Sequence, residues 1–294
     1  MPRFVRGESV VRSYNVVGYS LLILHGLVSA LLAPPQLGPG GGLVVGVLYL
    51  LFIWLVAGIY LPEILHMGLA HRALEFKGWF VKSTTLLCNT VGIYVNPQSW
   101  VNRHRHHHAF SDRDGDPNKL GADGFWKTLY LCLFPYKCQF DLARDPIFET
   151  WPMRLAASPF FAVAAQASSY AFVWALVSDW VYALALWCSV RLVGLWTNMV
   201  QNYWTHDRRF GARRYHDDDN AMNIRDWLPV TATFSACLQN NHHHHPQFLR
   251  LSHSHEEYDF GFRVARLMKS LGLVKGSNTG GRLPAGLELK EVGF

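Results

Sequence analysis

The stretch LQNNHHHHPQ at 238–247 places four consecutive histidines well inside the chain, and NRHRHHHAF at 102–110 is nearly as dense. Imidazole is the commonest metal ligand among side chains, so these clusters point to metal chemistry. Successive residues of an α-helix turn by about 100°, which converts spacing into faces. His104, His107 and His108 stand at i, i+3 and i+4 and share one narrow face, while His106 points away. Gln239, His242 and His243 repeat that spacing with an amide in the first place. Asn202 and His206 form an i, i+4 pair on a helix expected to continue beyond 201. His66 and His71 are five apart, about 140° on an α-helix. One α-helix cannot aim both at the same ion, so they serve two ions or straddle a helix end. Within the run 242–245, His244 and His245 turn off the face that His242 and His243 share with Gln239. Pro246 disfavours helical geometry at His245 and is expected to end the helix there.

Eight histidines (His66, His71, His104, His107, His108, His206, His242 and His243) exceed the four ligands of a closed zinc site and suit two metal ions. Zinc, copper, iron and nickel all accept imidazole, and spacing does not choose among them. A carboxylate di-iron site needs Glu-x-x-His twice plus two further glutamates. Here Glu63-x-x-His66 occurs once, which disfavours that class. HExxH, GxSxG and P-loop motifs are absent from the sequence. Each ligating ring also needs an acceptor for its second nitrogen, for which Asp112, Asp114, Asp116 and Asp217 to Asp219 are candidates. The simpler reading of the DDD at 217–219 is a solvated loop.

What must position these residues is largely membrane. Half of the 294 residues are hydrophobic and only 16% are charged, yet the mean hydropathy is just +0.07, so the apolar residues are concentrated in segments. Four stretches, 15–33, 43–65, 158–177 and 180–201, are long enough to cross a bilayer as helices. PPQLGPGGG separates the first two and SD the last two, giving two hairpins. Residues 79–95 are apolar but short, with Lys82 and Asn89, and read as a buried or interfacial helix. The resulting chain is an all-α integral membrane protein of one domain, 1–294, whose cytosolic cap comes from 66–157 and 202–294. Lysines and arginines avoid both hairpin turns, so the positive-inside rule places both termini and the histidine clusters in the cytoplasm. Among the spans only the fourth carries a cation, Arg191, at a cost of about 2.5–3.5 kcal/mol unless it snorkels or faces a polar interior. His25 inside the first span reads as a packed core histidine with a backbone partner. The +6 net charge comes without basic runs interleaved with aromatics, which argues for anionic lipid or an acidic partner and against nucleic acid. Five cysteines without a CxxC pair suit a reducing compartment.

Four motifs, HMGLAHR at 66–72, WVNRHRHHHAFSDRDGDP at 100–117, NYWTH at 202–206 and QNNHHHHP at 239–246, resemble the membrane fatty acid desaturases, especially the stearoyl-CoA desaturase type. The resemblance runs from about the second span to near residue 275. It implies four membrane helices beneath a cytosolic cap with two iron ions, and a reaction in which dioxygen and two electrons remove hydrogens from an acyl chain. Carried over by position, the iron ligands are the eight histidines above, with Gln239 in a ligand's place and Asn202 acting through a water. Trp100 of the same motif is the candidate substrate contact. The resemblance makes a fatty acyl-CoA the expected substrate, with a lipid-linked acyl chain as the alternative, in the cytoplasmic membrane if the source is bacterial. No cytochrome b5, ferredoxin or rubredoxin domain is evident, so a separate donor of one of those types is expected. The chain departs from the stearoyl-CoA type at Gln239, where that type has histidine, and at Asn118, which follows DGDP. The QxxHH box instead resembles front-end and lipid-linked desaturases. A lipid hydroxylase on the same scaffold is the nearest rival. A metal transporter is disfavoured because its ligands belong near the bilayer midplane.

Overall fold

The computed structural model describes residues 12–117, 124–135, 138 and 141–277. Both termini and Asn118 lie outside these residues. Among the described residues four helices have the length and apolarity to cross a membrane: Ser13–Leu31, Gly38–Ala70, Pro159–Val177 and Trp180–His206. The protein is an integral membrane protein, and the outward faces of these helices present Ile23, Leu31, Leu48 and Val163.

The first hairpin joins α1 (Ser13–Leu31) to α2 (Gly38–Gly58). α2 starts five residues earlier than expected. Gly38 opens the helix with φ of 63°, and Gly40, Gly41 and Gly42 are helical behind Pro39, which sits in the first turn, where its missing N–H costs nothing. Gly42 and Gly46 also let the two backbones approach, since a Cβ at either would collide with Ala33 or Ser29. His25 is the packed histidine expected: Nε2 lies 2.9 Å from the Gly46 carbonyl and Nδ1 lies 2.8 Å from Ser189 Oγ. The second hairpin joins α7 (Pro159–Val177) to α8 (Trp180–Asn202), turning at Ser178 with φ of 55°.

Between the hairpins lie α3 (Gly78–Val91), α4 (Pro97–Phe110), α5 (Phe125–Leu133) and α6 (Trp151–Ala157). α3 buries Val81, Thr84 and Cys88 and leaves Trp79 and Leu87 exposed, as befits an interfacial helix. After α8 come α9 (Trp227–Ala232), α10 (Gln239–His244) and α11 (Phe260–Ser270). Two short strands depart from an all-α chain among the described residues: β1 (Leu74–Phe76) pairs antiparallel with β2 (Val274–Ser277), tying the end of the second span to the tail. Each strand is too short to show alternation in sequence.

Candidate metal centre

The second span does not stop at 65. It continues as a π-helix, Ile59–Ala70, that carries Pro62. Proline lacks the N–H that an α-helical ladder would use, and i→i+5 bonding accommodates such a break. The backbone N–H of His71 donates to the His66 carbonyl at 3.0 Å, one such bond. This longer turn brings residues five apart close to one face, and the two rings stand with centroids 4.9 Å apart. The expected divergence of about 140° assumed α-helical geometry and does not hold here. Arg105 fixes the π-helix against α4. Its guanidinium donates to the carbonyls of Leu69, Ala70 and Leu142 and pairs with Asp145 at 2.7 Å.

α10 has six residues, too few to be stable alone. Its two asparagines hold it in place. Asn240 Oδ1 accepts from the backbone N–H groups of Arg214 and Tyr215, and its amide donates to the Tyr215 carbonyl. Asn241 donates to the Leu251 carbonyl and to Glu257, and its backbone N–H donates to Asn223 Oδ1. The residues between the expected ligands therefore aim those ligands. His206 is carried differently from the expectation. α8 ends at Asn202, and a 3₁₀ turn, Trp204–His206, rotates the histidine inward.

All eight motif histidines come together, in two groups. His66, His71, His104, His108 and His242 form one; His107, His206 and His243 form the other. Within each, one ring nitrogen per residue lies within 4.8 Å of all the others. The single face of α4 thus serves both groups. In the first, Nε2 atoms approach at 2.9 Å (His66 and His242), 2.7 Å (His71 and His104) and 3.1 Å (His108 and His242). Two nitrogens each about 2.1 Å from one ion at a right angle would lie about 3 Å apart, so the spacing fits shared coordination. His106 belongs to neither group and stacks on Phe110, as its helical position requires. His244 and His245 are also outside, stacked on Tyr215 and Phe248.

The second group is backed by carboxylates. Nδ1 of His107, His206 and His243 lies 2.9, 3.1 and 2.8 Å from Asp116, Asp112 and Asp219 respectively. A carboxylate on Nδ1 fixes the tautomer and leaves Nε2 free for a metal. His243 Nε2, buried, has no hydrogen-bond partner among the described residues. The triple aspartate is therefore not simply a solvated loop. Asp219 holds His243 and Asp217 holds His244 at 2.9 Å, while only the Asp218 side chain, 90% exposed, faces solvent.

Electrostatics separate the groups. Burial and mutual repulsion push His71, His104, His108 and His242 well below the usual histidine range, which keeps them neutral as ligands must be. His243 is also lowered, by burial and then by His107 and His206. Burial opposes protonation of His107 too, but Asp116 outweighs it and raises that ring.

Below the histidines lies a cavity of about 570 Å³. Leu50, Ile53, Val190 and Arg191 line one end, and His66, His104, His107, Asn202 and Gln239 line the other. Trp100 stacks on His104 with ring centroids 5.1 Å apart and also lines the cavity. Gln239 is buried, and its Oε1 has no hydrogen-bond partner among the described residues. Asn202, which also lines the cavity, donates its amide to the Asn198 carbonyl and Oδ1.

Residues 39–259, about three quarters of the chain, match the family model for fatty acid desaturase. This protein belongs to the fatty acid desaturase family. Among its relatives in that family, the sn-2 palmitoyl-lipid 9-desaturase of Nostoc sp. (strain 36) is 28% identical over 238 residues, 76% of this chain and 77% of the other. The sn-1 stearoyl-lipid 9-desaturase of Anabaena variabilis is 25% identical over 78% of this chain and 82% of its own. The Delta-9 acyl-lipid desaturase 1 of Arabidopsis thaliana is 23% identical over 76% of this chain and 72% of its own. The family assignment makes the chain an oxidoreductase that desaturates acyl chains.

Proposed function

We propose that the protein converts a –CH2–CH2– unit of a lipid-linked acyl chain to a double bond at a site holding two iron ions. Dioxygen takes four electrons, two from the acyl chain and two from a separate donor protein. With the two acyl hydrogens and two further protons it leaves as two waters. The observation that carries this reading is the 570 Å³ cavity lined by apolar residues such as Leu50, Ile53, Ile93, Val190 and Leu195 together with His66, His104 and His107 of the histidine groups. One ion would be held by His66, His71, His104, His108 and His242. The other would be held by His107, His206 and His243, with Gln239 beside them and Asn202 holding a water. Iron supplies the redox power to break an unactivated C–H bond, which side chains lack. The protein's own contributions are orientation and exclusion of water. Asp112, Asp116 and Asp219 hold three rings, Trp100 fixes His104, and the apolar walls position the chain. The lipid-linked carrier follows the names of the relatives, and the QxxHH box supports it; acyl-CoA is the carrier of the stearoyl-CoA type.

Mass spectrometry of lipids from cells expressing the chain tests the reaction. A new double bond in membrane glycerolipids is expected; a new hydroxyl would make the protein a hydroxylase, and no change would sink both. Purified protein supplied with acyl-CoA or glycerolipid then identifies the carrier. Elemental analysis is expected to give two irons per chain, and one or none would count against the site.

We further propose that the histidine cap faces the cytoplasm. Labelling of introduced cysteines from outside the cell should modify position 38 and spare position 105. The reverse pattern would overturn the orientation.

A further inference from the structure

Arg191 is unexplained by the metal site. It lies eleven residues from either end of α8, about 16 Å from each, too deep for its head to reach water by snorkelling. Protein groups meet it there instead. One terminal nitrogen donates to the Trp187 carbonyl at 3.1 Å. The other reaches Ser169 Oγ at 2.7 Å, and the Gly92 carbonyl and Gln166 Oε1 at 3.3 Å. The guanidinium stacks 3.5 Å over the Trp187 ring. Charged groups inside spans are costly and persist where they face a bundle interior or a functional path.

That path is the cavity. Arg191, Gly194, Asn198 and Asn202 lie one above another on the face of α8 that lines it. Asn202 marks the metal end and Arg191 the far end, where α3, α7 and α8 meet. We propose that Arg191, clamped by Ser169, Gln166 and the Gly92 carbonyl, forms the floor of the acyl pocket and sets the longest chain the enzyme accepts. This rests on the reading of the cavity as an acyl site. Both terminal nitrogens are engaged by protein, so the floor is a fixed wall and not a receptor for a polar chain end. A methyl terminus that advanced further would have to displace those bonds, leaving buried polar groups unpaired. An extended chain advances about 1.2 Å per bond, so about 16 Å holds about a dozen carbons between the metal end and the floor.

The test measures thermal stabilisation of purified protein by a series of saturated lysolipids of increasing chain length, alongside lipid profiles in cells. Wild-type stabilisation should rise with length and then stop. In Arg191→Ala the stopping length should move by about two to four carbons. In cells the longest unsaturated product should rise on the order of tenfold, the effect of two newly buried methylenes. Arg191→Gln, which retains a donor for Ser169, serves if the alanine variant fails to fold and should give a smaller shift in the same direction. An unchanged stopping length in a folded variant overturns the proposal. So does stronger stabilisation by an ω-hydroxylated chain, which would make Arg191 a receptor. If the stopping length shifts but wild-type cells make no unsaturated lipid, the floor stands and the desaturase reading fails.

Discussion

His242→Ala should abolish desaturation and cost one of the two irons, whereas His244→Ala should keep both irons and most of the activity. The contrast tests the site because these histidines are two residues apart on one six-residue helix. His242 is fully buried, and its Nε2 lies within 3.1 Å of Nε2 on both His66 and His108. Removing it takes one donor from the five-imidazole group and opens a gap at its centre. Even changes to groups that merely support a ligand typically cost 10–100-fold, so loss of the ligand should cost at least about 100-fold. His244 points the other way, a third exposed, between Asp217 and the Tyr215 ring. Its loss removes a pair about a third exposed and a stacking contact, worth on the order of 1 kcal/mol in stability. Iron content and lipid products measured together would read both effects. Equal loss of iron in both variants would mean that the helix, and not the ligand, had been destroyed.

That contrast was legible in the sequence, because α-helical spacing alone separates His242 and His243 from their neighbours. The four spans were legible for the same kind of reason, since uninterrupted apolar length needs no tertiary information. The meeting of His66 and His71 was not. Proline at 62 signals a disturbed helix, but whether the helix kinks, breaks or widens to i→i+5 bonding depends on what holds its end. Here Arg105, thirty-five residues later, binds the carbonyls of the final turn. The role of Asp219 was hidden similarly. Three adjacent aspartates look solvated until the fold sets one against His243, one against His244 and one in water. Arg191 could be flagged as costly from sequence, but its partners come from α3, α7 and α8, and only packing reveals them. Nothing in the spacing marks Asn240 and Asn241 as structural; their bonds show that they anchor the helix and leave Gln239 to line the cavity.

Gln239 itself carries the second large expected effect. A buried amide oxygen without a partner costs about 1–3 kcal/mol, and glutamine has easier places to be. Its Oε1 is in that position, and the residue lines the cavity with His66, His104, His107 and Asn202. Of the two histidine groups, one has only three imidazoles, His107, His206 and His243, where the other has five. A fourth donor beside that trio is what the amide oxygen can offer, to an ion directly or through a water. Gln239→Ala should therefore lower activity by about 10–100-fold and weaken one iron selectively. Gln239→His puts imidazole in the same place and should retain two irons and measurable turnover. Substituting leucine, similar in volume, separates loss of the donor from loss of packing, and should behave as alanine does. Full iron occupancy and wild-type turnover in the leucine variant would show that the oxygen coordinates nothing, leaving the second ion to three histidines and water.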